Sequence, residues 1–99
     1  VPQENELTQK NRIIISVLGL DRVGIIAGVA NILSENNINI LDISQTIMQE
    51  FLVMVMIGDM TGSRVDLASL KELLHEKAEE LRVRIEAQHE DAFRFMHRI

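Results

Sequence analysis

Ninety-nine residues can enclose one hydrophobic core and leave no room for a separate catalytic domain. At 46% hydrophobic and 25% charged residues, the composition is that of a folding globular chain rather than a disordered one. A net charge of -5 with ten scattered Lys and Arg excludes the clustered basic surface that nucleic-acid binding needs, and the absence of cysteine excludes disulfides, thiolate nucleophiles and cysteine zinc sites.

Residues 1–11 are polar and lack a basic-then-apolar signal pattern, so they read as a flexible lead-in to a domain spanning 12–90. No apolar run approaches a membrane span, so no membrane partner is expected. A cysteine-free chain suits a reducing compartment, which makes a cytoplasmic location the expectation.

Arg12 to Gly19 (RIIISVLG) is rich in β-branched residues and reads as the first strand, closed by a turn over Leu20 to Gly24. Ile25, Ile26, Val29, Ile32 and Leu33 recur at helical spacing, predicting a helix that ends near Asn36 and Asn37. Ile38 to Gln49 alternates Ile38, Ile40 and Asp42 against Asn39, Leu41 and Ile43; Phe51 to Asp59 is apolar on both alternating sets. The short link at Gln49 and Glu50 makes these strands an antiparallel hairpin.

Ser63 is the expected N-cap of a second helix, with Asp66 as the capping acid three residues on. Val65, Leu70, Leu73, Leu74, Ala78 and Leu81 form its buried stripe. Arg82 to Gln88 alternates as a half-exposed strand, and 91–99 adds Phe93, Met96 and Ile99 at helical spacing as a tail.

The order β-α-β-β-α-β predicts an α+β, ferredoxin-like sandwich: a four-stranded antiparallel sheet with two helices on one face, and the two most apolar strands at its centre. The uncovered face would then expose apolar residues, drawn from Ile14 and Leu18 and from Leu52, Met54 and Met56. A homodimer or higher homo-oligomer is the expected cover, with the tail crossing that face in its own subunit or its neighbour's. A monomer closed by its tail alone is the alternative.

Chemistry-bearing patterns are few. No serine sits in a nucleophile elbow, and His75, His89 and His97 lack the spacing of a helical metal pair, so neither catalysis nor a metal site is expected, and no cofactor is implied. The methionines read as core or interface filler. What remains is the turn Gly19-Leu20-Asp21-Arg22-Val23-Gly24-Ile25. Gly24 permits a tight bend, the amides of Val23, Gly24 and Ile25 open a helix without intrahelical partners, and a helix N-terminus attracts a carboxylate. Asp21 can accept hydrogen bonds from an ammonium group, so the turn is matched to a zwitterion. Equally, Asp21 can simply cap the helix while Gly24 permits the bend.

The string GLDRVGIIAGVANILSENNINILDIS, Gly19 to Ser44, resembles the N-terminal half of an ACT domain, whose pattern is a Gly-x-Asp-Arg-Pro-Gly-Ile turn, an apolar helix and an Asn-Ile pair opening the second strand. By order of elements the similarity extends from Arg12 to about Gln88, and DISQT at Asp42 to Thr46 is similar to small stand-alone prokaryotic ACT proteins. That resemblance implies a regulatory, non-enzymatic domain that binds an amino acid between two subunits. It implicates Asp21, Arg22, Val23, Gly24 and Ile25 of one subunit and Asn39 of the other, with Asn37 as a further candidate. Val23 stands where the pattern has Pro, which frees a backbone N–H and loosens the turn.

Two other functions on this topology fare worse. An RNA-binding sheet would carry stacking aromatics on its central strands, where only Phe51 is present. An acylphosphatase-like enzyme would use Arg22 for phosphate, against which the adjacent Asp21 acts. A ligand-free dimerisation or adaptor module acting through a protein target is the nearer alternative.

Overall fold

The computed structural model describes residues 11–96. Seven elements follow in order: β1 (Arg12–Leu20), α1 (Ile25–Glu35), β2 (Asn39–Met48), β3 (Phe51–Asp59), α2 (Leu67–Leu81), β4 (Val83–His89) and α3 (Glu90–Met96). The strands form one antiparallel sheet in the order β2-β3-β1-β4, which is the expected ferredoxin-like arrangement with β1 and β3 central. The lead-in before Asn11, and His97 to Ile99 of the tail, lie outside the described residues.

Register decides which side chains make the core. Ile13, Ile15 and Val17 of β1 stand opposite Gly58, Met56 and Met54 of β3, and directly opposed residues share a face. All of these side chains are buried together with Ile25, Val29 and Leu33 of α1 and Leu70 and Leu74 of α2. Each fully buried aliphatic side chain contributes about 1.5–3 kcal/mol of transfer free energy. Leu52, Met54 and Met56 therefore face the helices, correcting the expectation that they lie on the open side. The open face of β3 instead carries Phe51, Val53, Val55 and Ile57, opposite Leu20, Leu18, Ser16 and Ile14. Because β3 is apolar on both alternating sets, its sequence pattern alone cannot choose between the faces.

A second correction concerns β2. Ile40 opposes Gly58 but Asp42 opposes Ile57, so Leu41 is an extra residue in a bulge. The bulge reverses the alternation: Ile43, Gln45 and Ile47 align with the helix-side set, while Asp42, Ser44 and Thr46 turn to the open face. Next to the bulge, the Asp42 carboxylate accepts from the Ile43 amide at 2.9 Å.

Helix ends follow local rules. α1 closes in a Schellman arrangement, with Ile38 N–H donating to Leu33 O at 2.8 Å, Asn37 N–H to Ser34 O at 3.1 Å, and Asn37 at φ 58°. The N-cap of α2 is Asp66, not Ser63: its carboxylate accepts from Ser69 N–H at 2.8 Å, and that bond holds the carboxyl below its ordinary range. Ser63 closes its own turn, its hydroxyl accepting from Val65 N–H at 3.1 Å.

α3 packs against β1 and β4 at the Arg12 end of the sheet. Buried Glu90 accepts from the Arg12 guanidinium, which the register turns to the open face, and from Arg94 Nη2 at 2.9 Å. The Arg12 bond holds the Glu90 carboxyl below its ordinary range, outweighing the opposing effect of burial. Among the described residues, those at the other end of the open face stay exposed, Leu18 at 51% and Met48 at 61%, so α3 leaves that end bare.

Candidate functional site

The turn after β1 rests on the neighbouring hairpin: Asp21 N–H donates to Glu50 O, in the β2–β3 turn, at 2.8 Å. Gly24 is the N-cap of α1 at φ 97°, a left-handed backbone that side chains rarely adopt, and a Cβ built there would meet nothing within 4 Å. The glycine is thus needed for its backbone angle, and it leaves open space above the helix end.

No side chain caps α1, and its first turn holds no acidic residue. The first backbone bond runs from Gly28 N–H to Gly24 O at 2.8 Å, so the amides of Ile25, Ile26 and Ala27 precede the helical ladder. Asp21 does not serve as the cap. Among the described residues its carboxylate and the Arg22 guanidinium have no hydrogen-bond or ion-pair partner, and Asp21, Arg22, Val23 and Gly24 are all exposed. Ile25 differs: it is buried, so only its backbone can face a ligand.

Asn39 is exposed at the start of the edge strand β2, opposite Asp59, which in turn opposes Arg12. It lines a groove of 360 Å³ with Ala30, Ser34, Asn37, Ile38 and Ile40. Asn37 shares that groove while its Nδ2 donates to Gly62 O at 2.9 Å.

One chain does not unite these groups. The Asp21 turn follows Leu20, level with Met48 at the end of β2, whereas Asn39 is level with Arg12. Eight residue steps along β1 separate those levels, about 26 Å at ~3.3 Å per residue. Glu50, Ala27 and Ser34 escaped the sequence reading; only the position of Glu50 in a short hairpin link hinted at the first.

Among the described residues no three His, Asp or Glu side chains gather as a metal site, and no helix is long and apolar enough to cross a membrane.

A family model described as "ACT domain" matches residues 11–88. A UPF0237 protein of Methanocaldococcus jannaschii is 52% identical over 89 residues, covering 90% of this chain and 99% of its own. An ACT domain protein from Streptococcus pneumoniae superposes with a TM-score of 0.73 at 33% identity, over 83% of this chain and 92% of that one. A formyltetrahydrofolate deformylase from Pseudomonas syringae superposes with a TM-score of 0.75 at 26% identity, over 88% of this chain but only 30% of the enzyme.

Proposed function

The chain belongs to the ACT domain family, and from that premise we propose that it is a non-catalytic regulatory module that binds an amino acid between two copies of itself. The observation that carries this reading is the separation of the two half-sites along the sheet. β2 is an edge strand with an unpaired side. Antiparallel pairing of two β2 edges about a two-fold axis sets the Met48 end of one copy beside the Asn39 end of the other. The Asp21 turn of one subunit then meets Asn39 of its partner, twice per dimer.

In that site the Ile25, Ile26 and Ala27 amides receive the ligand carboxylate at the positive helix end. Asp21, with no partner of its own, receives the ammonium group, and Asn39 donates and accepts beside it. Arg22 and Val23 shape the mouth, and the groove along Ala30, Ser34 and Ile40 accommodates the ligand side chain. Regulation acts through a protein target in the cytoplasm, the ligand favouring one of two states. The unit doing this is the domain over 12–90, with 91–99 as its tail.

The ligand-free adaptor is favoured by one observation: Val23 is fully exposed, and none of four well-defined grooves is lined by Asp21 to Ile25. Thermal unfolding against a panel of amino acids separates the readings, because a ligand at 100 times its Kd stabilises the folded state by about 2.7 kcal/mol. The regulatory reading requires one amino acid to raise the midpoint and Asp21→Ala or Asn39→Ala to abolish the rise. No response at millimolar concentration leaves the adaptor.

A further inference from the structure

A groove of 720 Å³ runs between α2 and β4, on the opposite edge of the sheet from β2. Leu74, Ile85 and Ala87 form its apolar floor, and exposed Lys71, Glu72 and Glu76 of α2 form its outer wall. One side of the β4 backbone borders it. Among the described residues no strand pairs with that side, so alternate peptide groups of 83–88 have donors and acceptors to spare. Sheet edges are commonly guarded by Pro, Lys or a bulge. β2 has its bulge at Leu41, whereas β4 has none of the three: the strand reads VRIEAQH, and its register with β1 is unbroken from Val83 to His89.

Charge indicates what fits there. Among the described residues neither Glu72 nor Glu76 has a hydrogen-bond or ion-pair partner, and four residues apart on one helix they repel each other. Over 71–80, Lys71 and Lys77 stand against Glu72, Glu76, Glu79 and Glu80, so the wall is acidic. Glu86, at the same groove, is already held by Arg84 at 2.7 Å and adds nothing to that balance. A Lys or Arg side chain entering between α2 and β4 would lay its alkyl stem on Leu74, Ile85 and Ala87 and bring its cation to the two unpartnered carboxylates.

We propose that the β4 edge is a docking site for an extended, basic segment of another protein, which adds a fifth strand to the sheet and sends alternate Lys or Arg side chains into the groove. The seven residues of β4 accommodate about 23 Å of added strand at ~3.3 Å per residue. The other set of side chains lies beside Arg84, Glu86 and Gln88, where short polar residues fit. Residues 1–10 of the same chain are a poor match in charge, with Glu4 and Glu6 against Lys10. Because Asn39 is on the far edge, the proposal stands whether or not an amino acid binds at the β2 half-sites.

Fluorescence anisotropy with labelled acetyl-Thr-Lys-Thr-Lys-Thr-Lys-Thr-amide tests this on the full chain. One control peptide has Glu in place of Lys; the other is the Lys peptide N-methylated at every residue, which keeps the charge and removes the backbone donors. The expected result is saturable binding of the unmethylated Lys peptide alone, with hydrogen exchange by NMR slowed at alternate amides of 83–88. Reversing the wall by Glu72→Lys with Glu76→Lys changes two exposed positions, and circular dichroism confirms the fold. The reversal should weaken the Lys peptide roughly 2- to 30-fold, as two exposed ion pairs allow, and make the Glu peptide the better ligand. No binding of the Lys peptide, equal binding of its methylated form, or indifference to the reversal overturns the proposal. So does slow exchange on both alternating sets of 83–88 before any peptide is added, which would place the chain itself or a second copy on that edge.

Discussion

Replacing Gly24 isolates the backbone strain at the candidate site, because nothing else there responds. The position has φ 97° and ψ -7°, and a Cβ would have no neighbour within 4 Å, so steric packing adds no cost. Holding an ordinary residue in left-handed backbone costs about 1–2 kcal/mol. The reduced entropy of an unfolded chain with Ala in place of Gly returns roughly 0.4–1 kcal/mol at a compatible position. The net expectation for Gly24→Ala is a loss of about 1 kcal/mol, with Gly24→Asn milder and Gly24→Val worse, since Asn tolerates this region and β-branched residues do not. Urea unfolding at one fixed protein concentration reads the series, the fixed concentration being needed because assembly contributes to stability. Equal stability across the three variants, or Gly24→Val matching wild type, refutes a left-handed cap at this turn.

Leu74, 1% exposed on the buried face of α2, is expected to cost about 2–5 kcal/mol when cut to Ala, a loss read as a fall in urea midpoint. An unchanged midpoint contradicts the core as described. Glu90 has a carboxyl held below its unfolded value, so its contribution is present above the ordinary carboxylate pKa and is lost as pH falls through the depressed folded value. Glu90→Gln should therefore lower stability at neutral pH and flatten the acid limb of the stability profile below pH ~4.3, the ordinary glutamate value. An unaltered acid limb contradicts the docking of α3 through Arg12. Gly19 lies where a Cβ would come within 2.7 Å of Val83 Cγ1 and 3.1 Å of its Cα, so Gly19→Ala forces β4 to move. Overpacking of that kind costs about 1–3 kcal/mol, again visible in the urea midpoint.

Element order and type were legible because a β-branched run closed by a glycine turn, Arg12 to Gly24, gives way cleanly to helical spacing from Ile25 onward. Face assignment was not. β3 is apolar on both sets, and the Leu41 bulge shifts the phase of β2 in a way that resembles imperfect alternation. Ser63 and Asp66 are both good caps three residues apart, and the hydroxyl was taken by its own turn. The glycine turn was visible as a motif. The distance from Asp21 to Asn39 was invisible, since it depends on β2 running the length of the sheet.

The claim of a shared site is tested most directly by mixing subunits. Asp21→Ala and Asn39→Ala each disable both sites of their own homodimer, whereas a dimer containing one subunit of each keeps one site with both residues intact. Calorimetric titration of the co-refolded pair, with the amino acid that most raises the unfolding midpoint, is predicted to recover binding at one site per mixed dimer. Binding that stays absent after subunit exchange has been verified by mass contradicts a site built across two copies.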